Sequence, residues 1–325
     1  MTTKDKVLQL LMEEEGEPVS GQQMADTLGL SRTAVWKWIK ELETEGYQIE
    51  SIRKKGYVLH DFPDRIEKAH VAPLLETNRY GTVIETYETC ESTQLIAHQR
   101  AQEGAPDGTI IIADEQTAGK GRLARPWEST KGSGIWMSVI LRPDLTFQEA
   151  PQVTLVTAVA IVQALKEVTG VEAQIKWPND ILLGDLKLTG ILTELQAEPD
   201  RIQAIIVGIG MNVNQKATDF PEELREIAAS LRMQTDKKWD RAPIIAAILK
   251  YMEKYIAIYE KEGFGPIRLL WESYSITTGK RIRATLVDEV LEGEALGISD
   301  EGLLKVRLDD GTIRSIYSAD ISRMP

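Results

Sequence analysis

The segment QTAGKGRLARPW (residues 116–127) contains two glycines, three cationic side chains and one tryptophan. A glycine followed by a lysine is typical of phosphate-binding P-loops, but that motif requires Ser or Thr after the lysine and a further glycine upstream. In this chain Gly121 follows Lys120, and Asp114 stands where the upstream glycine would be. The segment is therefore not a P-loop, and its neighbours must show which anion its cations hold.

Strand-like sequences lie on both sides of this glycine-rich loop (residues 116–127), GTIIIADEQ before it and GIWMSVILRP after it. Three further β segments are separated by Pro, Asn, Asp and Gly: AQIKWPNDILL, LTGILTELQ and AIIVGIGMNVN. The segment VTLVTAVAIVQALKEV is apolar on all sides and predicts a buried helix. A second, amphipathic helix, APIIAAILKYMEKYIAIYEKEG, is expected to end at Gly263. The mixture predicts a central mixed α/β domain, assigned to residues 65–271.

The sequence changes character on both sides of this domain. From about residue 272 it consists of short strands with a strong hairpin signal at Asp310-Gly311, which predicts a small β-barrel over residues 272–325. Residues 1–64 contain three helix-like segments followed by YQIESIRKKGYVL, which reads as two strands. Two helices joined by a few residues and followed by a hairpin indicate a winged helix-turn-helix. The whole chain is thus predicted to be an α+β multidomain protein.

The charge distribution separates the first domain from the rest. The net charge of −12 argues against a protein that coats nucleic acid non-specifically. Residues 31–40 and 51–60, however, carry six cations and no acidic residue, which indicates a directed contact with DNA. The residues expected to contact DNA are Gln23, Ser31, Arg32, Thr33, Trp36, Lys37, Lys40, Arg53, Lys54 and Lys55. The alternative is a helical protein-interaction module whose charges are simply solvated.

Composition limits the cellular setting. With 325 residues, 42% hydrophobic, the chain is expected to fold into two or three domains. A single cysteine, Cys90, excludes an internal disulfide framework and fits a reducing cytoplasm. The N-terminus lacks the apolar core of a signal peptide, and the longest apolar run is shorter than the roughly 20 residues of a membrane span. A cytoplasmic protein without a membrane partner is expected.

Cations recur near the predicted strand ends, where α/β proteins build their sites. Together Lys120, Arg122, Arg125, Lys176 and Lys187 could neutralise a triphosphate that faces a carboxylate, as nucleotidyl transfer onto an acid requires. Asp180 could help to hold Mg²⁺ on the phosphates, and Asn179 or Asn212 could contact adenine or ribose. Each feature also has a purely structural interpretation: a glycine turn, a β-turn at Asn-Asp, or a helix cap at Ser92-Thr93.

Five segments, EST, DEQTAGKGRLARPW, KWPND, KLTGIL and GIGMNVN, occur in an order and spacing that resemble the bacterial biotin protein ligases that also act as biotin operon repressors. The resemblance covers nearly the whole chain. It implies a ligase domain of the class II synthetase/biotin ligase type and an SH3-like C-terminal barrel. It also implies a two-step reaction, in which biotin and Mg-ATP give biotinoyl-5′-AMP, which then acylates a lysine of the biotin carboxyl carrier protein of acetyl-CoA carboxylase or a related enzyme.

The same resemblance implies that the adenylate-bound protein forms a homodimer that represses biotin genes at an operator. It assigns biotin binding to Ser92, Thr93, Gln94, Gln116, Lys120, Gly121, Arg122 and Lys187. It assigns the adenylate side to Arg125, Trp127, Asn179, Asp180 and Asn212, and the catalytic charges to Arg122, Lys187 and Lys176. Two positions depart from the family pattern: Lys120 stands where Arg is usual, and Gln94 where Asn is usual.

Three other functions would fit parts of the sequence. A ligand-sensing repressor without catalysis would not need five cations in its site. A lipoate ligase shares the central fold, but the winged helix and the sequence GKGRLARPW favour biotin. A relative of class II aminoacyl-tRNA synthetases would be expected to carry a further RNA-binding patch, and the sequence contains none.

Overall fold

A computed structural model describes residues 2–14, 17–61 and 63–324 of the chain. The N-terminal domain contains helices α1 (Thr3–Glu13), α2 (Gly21–Leu28) and α3 (Arg32–Thr44), followed by the antiparallel strands β1 (Gln48–Ile52) and β2 (Gly56–Asp61). Ser20 and Ser31 cap α2 and α3. Their hydroxyl oxygens accept hydrogen bonds from the backbone N–H groups of Gln22 and Ala34, respectively. The predicted winged helix-turn-helix is confirmed.

The wing is tied to the helices at one glycine. A Cβ atom on Gly56 would lie 2.0 Å from the carbonyl oxygen of Val19, and its φ of +130° is one that only glycine adopts readily. Val19 and Tyr57 exchange two backbone hydrogen bonds at this point, each 2.9 Å long. The hairpin is therefore held close to the start of α2.

A short linker with helix α4 (Lys68–Val71) leads into a seven-stranded mixed sheet. The strand order is β3-β4-β5-β9-β8-β7-β6, in which only β3 and β4 are parallel neighbours. The strands are β3 (Ile84–Tyr87), β4 (Thr109–Ala113), β5 (Gly134–Leu141), β6 (Gln174–Lys176), β7 (Asp180–Leu183), β8 (Leu186–Ala197) and β9 (Ile202–Asn212). The predicted β segments are all present.

Helices cover both faces of this sheet. Helix α5 (Thr93–Gln102) packs on one face through a small cluster that contains Ala97, Ile111 and Ile206. The other face carries α6 (Gln152–Thr169) and α8 (Arg241–Glu262). Two shorter helices, α7 (Leu231–Thr235) and α9 (Gly265–Tyr274), precede and follow α8 in the chain. Helix α6 is long and apolar enough to span a membrane, but 67% of it is buried within the protein, as expected for a core helix.

The C-terminal residues form a five-stranded antiparallel sheet in the order β13-β12-β11-β10-β14. Its strands are β10 (Arg281–Thr285), β11 (Val290–Ile298), β12 (Leu304–Leu308), β13 (Ile313–Ile316) and β14 (Asp320–Arg323). Strand β14 was not predicted, and the pairing leaves β13 and β14 at opposite edges within residues 63–324. The expected domain boundary at residue 272 falls inside α9, which continues to Tyr274.

The hydrophobic cores divide the chain into two parts. One continuous cluster contains residues of the central sheet, such as Val207 and Ile209, and residues of the C-terminal sheet, such as Ile282 and Val306. The winged-helix domain has a separate cluster, to which the linker adds Ala69. The central and C-terminal domains are therefore packed as one body, whereas the winged helix has its own core.

Candidate active site

A cleft of about 300 Å³ lies above the middle of the central sheet, between strands β5, β8 and β9 and the glycine-rich loop. The loop folds back on itself: Gly121 donates a backbone hydrogen bond to Arg125 (2.8 Å), and Trp127 donates one to Gly119 (2.9 Å). At its tip Leu123 and Ala124 both have φ of +56°, a left-handed conformation that is costly for side chains with a Cβ. The loop thus covers the cleft with a strained turn.

A set of hydroxyl and amide groups forms one end of the cleft. The side-chain oxygen of Gln116 accepts hydrogen bonds from the backbone N–H (2.8 Å) and hydroxyl (3.1 Å) of Thr93, and its amide donates to Ser129 (2.8 Å). The Thr93 hydroxyl also lies 2.9 Å from that of Ser138. Ser92 occupies the N-cap position of α5, but its side chain makes no capping hydrogen bond. The helix-cap interpretation of Ser92-Thr93 is therefore wrong.

Gln94 lies flat on the sheet beside this set. A Cβ atom on Gly208 would come within 2.6 Å of the side-chain oxygen of Gln94, so a glycine is needed beneath it. The Gln94 amide donates to the carboxylate of Glu194 (3.0 Å) and the carbonyl of Ile206 (3.3 Å), and its oxygen accepts from Ser138 (3.0 Å). These acceptors fix the orientation of the amide and place its oxygen toward Ser138.

Trp127 covers the middle of the cleft in the same way. Cβ atoms on Gly190 and Gly210 would lie 2.9 Å and 2.5 Å from atoms of its indole ring, so these two glycines allow the ring to lie against the sheet. The ammonium group of Lys187 is 5.2 Å from the ring centroid, within cation–π distance. The indole N–H is buried and has no hydrogen-bond partner among residues 63–324.

Cations paired with acidic or polar groups form the other end. Lys187 is 2.7 Å from a carboxylate oxygen of Asp180. Arg122 donates to Asn179 (3.0 Å) and to Ser318 (2.6 Å), which lies in the C-terminal domain. Arg125 forms an ion pair with Asp320, also in that domain. The hydrogen bond from Arg125 lowers the pKa of the Asp320 carboxyl below its usual range.

The structure brings most of the predicted residues together. The cleft is lined by Ser92, Thr93, Gln94, Gln116, Lys120, Gly121, Arg122, Arg125, Trp127, Asn179, Asp180, Lys187 and Asn212. Lys176 is not among the lining residues, although it ends β6 in register with Asp180, which does line the cleft. Its catalytic role stays a prediction.

Sequence reasoning missed a further group of lining residues: Met137, Ser138, Gly190, Ile191, Leu192, Gly208, Ile209, Gly210, Phe220, Leu224, Ile227, Ala228 and Asp320. The glycines, Ile191, Leu192 and Ile209 lie within the recognised segments KLTGIL and GIGMNVN and could have been assigned from them. Ser138 lies in an apolar strand, and Asp320 comes from another domain, so neither has a local signal in the sequence.

The basic face of the N-terminal domain is a separate site. A groove brings Arg32, Thr33 and Trp36 of α3 next to the wing residues Arg53, Lys54 and Lys55. Trp36 is 52% exposed, although it is a large apolar side chain. The remaining predicted DNA contacts, Gln23, Ser31, Lys37 and Lys40, lie outside this groove. Ser31 caps α3, and Lys40 forms an ion pair with Glu43 at 2.6 Å.

Comparison with known proteins accounts for all three parts of the chain. Residues 85–212 match the biotin/lipoate A/B protein ligase family, residues 3–58 an HTH domain, and residues 277–324 the biotin protein ligase C terminal domain. The bifunctional ligase/repressor BirA of Bacillus subtilis (strain 168) is 47% identical over 320 residues, covering 98% of both chains. The chain belongs to the bifunctional ligase/repressor family. The resemblance inferred from the five sequence segments is confirmed.

More distant relatives agree with this family assignment. BirA of Escherichia coli (strain K12) is 28% identical over 94% of this chain and 93% of its own. Among solved structures, the biotin protein ligase from Aquifex aeolicus in complex with biotin and ATP superposes with a TM-score of 0.67 at 30% identity. That enzyme matches 75% of this chain with its full length. The ligase fold is thus shared with an enzyme whose structure holds biotin and ATP.

Proposed function

We propose that this protein is an ATP-dependent biotin protein ligase that modifies a lysine of the biotin carboxyl carrier protein of acetyl-CoA carboxylase. We propose further that it represses biotin genes with biotinoyl-5′-AMP as corepressor. One observation carries the first activity: a single cleft joins a hydroxyl and amide end, at Thr93 and Gln116, to a cationic end, at Arg122 and Lys187. The family membership supports both activities.

The proposed chemistry has two steps. In the first, a carboxylate oxygen of biotin attacks the α-phosphorus of ATP, and the bond to the β-phosphate oxygen breaks to release pyrophosphate. In the second, the lysine amine of the carrier attacks the acyl carbon of biotinoyl-5′-AMP, the bond to AMP breaks, and the amine loses a proton to solvent. Both steps bring anions or a reactive anhydride into one place, which cations and exclusion of water favour.

The two ends of the cleft suit the two substrates. The ureido group of biotin needs donors and acceptors close together, and the network of Thr93, Gln116 and Ser138 provides them. We infer that the biotin carboxylate and the α-phosphate meet beside Arg122 and Lys187, which both line the cleft. Phe220 and Ile227 give the nucleotide side an apolar wall that suits adenine. Trp127 lies between the two ends.

Magnesium ions would enter with the nucleotide. Within the described ranges, no group of three or more His, Cys, Asp or Glu side chains is arranged to hold a metal ion. Two acidic groups of the cleft, Asp180 and Asp320, are already paired with Lys187 and Arg125, and Glu128 is a third acidic lining residue. Mg²⁺ commonly binds through one or two carboxylates together with substrate phosphates, so Asp180 suffices as its protein contact.

The ligase activity is tested by incubating the full chain with biotin, Mg-ATP and a purified carrier domain and measuring the intact mass of the carrier. Addition of one biotinoyl group supports the proposal. A parallel reaction with lipoate tests the related ligase function, and preferential transfer of lipoate would contradict ours. Pyrophosphate release without a carrier tests for a purely ligand-sensing repressor, which would release none.

The repressor activity requires a dimer. One winged helix contacts a short half-site, and specific affinity usually comes from paired half-sites. The acidic remainder of the chain repels phosphates. We therefore expect that the single basic groove around Arg32 and Lys54 does not hold DNA alone at physiological salt. We therefore propose a two-fold homodimer on an inverted repeat, favoured by the adenylate. Sedimentation with operator DNA, with and without biotin and ATP, tests it, and tight binding by a monomer would contradict it.

The proposal also includes its setting. Operator DNA is found in the cytoplasm, so we place the protein there. We keep three functional domains, 1–64 for DNA, 65–271 for biotin and ATP, and 272–325 for the C-terminal sheet. Ser318 and Asp320 contact the loop cations, which supports a contribution of the third domain to the active site.

A further inference from the structure

Arg241, the first residue of helix α8, is fully buried, with a side chain only 1% exposed. Its guanidinium contacts two carboxylates and two backbone carbonyls, including that of Asp64, which accepts from Nη2 (3.1 Å). The Nε atom donates to both oxygens of Asp64 (3.0 and 3.1 Å), while Nη1 donates to the carbonyl of Gly134 (2.9 Å) and lies 2.8 Å from Asp114. A buried arginine with this many partners is held in one position.

The partners come from separate parts of the chain. Asp64 lies in the linker between the winged helix and the central domain, and its carboxylate is only 8% exposed. Asp114 follows β4 directly, and Gly134 begins β5. The glycine-rich loop lies between these two strands. Arg241 therefore contacts both ends of the segment that covers the active-site cleft and, at the same time, the linker of the DNA-binding domain.

The same linker residue also reaches the nucleotide side. The side-chain amide of Asn214 donates to the carboxylate of Asp64 (2.8 Å). The backbone N–H of Asn214 donates to the carbonyl of Ser133 (2.6 Å). Asn214 is two residues beyond Asn212, whose side-chain oxygen accepts a hydrogen bond from Gln215 at 3.1 Å. The contacts of Asp64 thus join the linker to the loop and to the end of β9.

The charges make this arrangement sensitive to the linker. One guanidinium carries a single positive charge between two carboxylates, so its position depends on both, and weakening one contact changes how strongly it binds the other. Arginine suits this role because its planar group presents several donors in fixed directions, which a lysine cannot do. A shift of the linker when the winged helix binds DNA would therefore be transmitted to the ends of the loop.

We propose that Arg241 is a positioning residue for the ligase site: it holds the ends of the glycine-rich loop in register with the linker and so couples retention of biotinoyl-5′-AMP to the DNA-binding domain. This inference rests on the proposed function for the identity of the ligand. The linker–loop contact itself, between Asp64, Arg241 and Asp114, is independent of that identity.

The test uses Asp64→Asn, Asp114→Asn and the double variant in the full chain, because removal of Arg241 itself would leave the buried Asp64 and the partly exposed Asp114 without their shared cation. Each single change should speed release of preformed biotinoyl-5′-AMP about fivefold, as expected for one contact in a coupled network. The double variant should release it little faster than the faster single variant, since both changes break the same connection. Independent, multiplying effects would overturn the proposal.

Two further measurements separate positioning from general stability and from ligase chemistry. The control Glu253→Gln also lies on α8, where the carboxylate accepts the N–H groups of Asn78, Arg79 and Tyr80 away from the loop. It should lower the melting temperature without changing adenylate release. Hydrogen exchange of residues 116–131 without ligand should be about fivefold faster in Asp64→Asn than in the wild type. Unchanged exchange overturns the positioning role. Because this measurement needs no ligand, its result does not depend on whether the protein makes biotinoyl-5′-AMP.

Discussion

The protein carries two groups of cations, and their surroundings differ. On the winged helix, Arg32, Arg53, Lys54 and Lys55 are exposed and form no ion pair with another described residue. In the cleft, three of the cations are already engaged: Lys187 with Asp180, Arg122 with Asn179 and Ser318, and Arg125 with Asp320. Both groups can bind phosphate, but the cations of the winged helix are solvated, whereas those of the cleft are held by protein partners.

The difference follows from the ligand that each group meets. Solvated cations on a rigid helix and wing attract the phosphates of any duplex, with an affinity that falls steeply with salt. Cations held by carboxylates and amides in the cleft are oriented in advance, and a phosphate must replace one of these protein partners in order to bind. Such preorganised charge stabilises a transition state, because little reorganisation remains at the moment of reaction.

The largest expected effect tests the preorganised group. Lys187→Ala should slow formation of biotinoyl-5′-AMP by about 10²- to 10³-fold, the usual cost of removing one preorganised charge at a reacting centre. Pyrophosphate release with biotin and Mg-ATP measures this rate. Lys37→Ala, which removes an exposed lysine of α3, is the matched control and should leave the rate unchanged. A normal rate in Lys187→Ala would remove this residue from the mechanism.

The second expected effect concerns the segment that carries the cations. Residues 118–131, which comprise most of the glycine-rich loop and the four residues after it, have little apolar content. We therefore expect this segment to open without ligand and to be held closed by the adenylate. With ligand at about 100 times its dissociation constant, hydrogen exchange in this segment should slow by up to about 100-fold. Helix α3 serves as the internal control and should exchange at the same rate in both states. Equal exchange in the loop would contradict a closing role.

The third effect tests the exposed group. Replacing Lys54 and Lys55 together by alanine should weaken operator binding about tenfold near physiological salt and reduce the salt dependence of log K by about two, since two phosphate contacts are lost. Adenylate formation should stay at the wild-type rate, because neither residue lines the cleft. A salt dependence equal to that of the wild type would show that the wing does not contact DNA phosphates.

The smallest effect concerns the contact between loop and C-terminal domain. Asp320→Asn removes the carboxylate that pairs with Arg125, so Arg125 need not break an ion pair when ATP binds. The KM for ATP should therefore fall by about threefold at low salt, within the range of an exposed ion pair. Because the folded protein lowers the pKa of Asp320, this contact is present at neutral pH and is lost only as the pH falls through that lowered value. The variant should lack this acid-dependent step in loop exchange. A raised KM would mean that Asp320 assists nucleotide binding instead.

Local features of the fold were predictable because they depend on residues close in sequence. Ser31 caps α3, Gly263 ends α8, and the Asp310-Gly311 turn joins two strands of the C-terminal sheet, as expected. Strand β14 was missed because its four residues, Asp320–Arg323, carry no hydrophobic alternation strong enough to identify a strand. Its place is set by pairing with β10, almost forty residues earlier in the chain.

The sequence by itself determined which residue types were available for anion binding, and the five segments it displays were enough to identify the family. Only the tertiary structure decided which of those residues share a cleft. Lys187 reaches the cleft because β8 lies beside β9 in the sheet, whereas Lys176, on the edge strand β6, is not among the lining residues. Asp320 and Ser318 reach the loop because the C-terminal sheet packs into the same core as the central domain. Strand order and domain packing arise from contacts between residues far apart in the chain, which no local pattern of residues records.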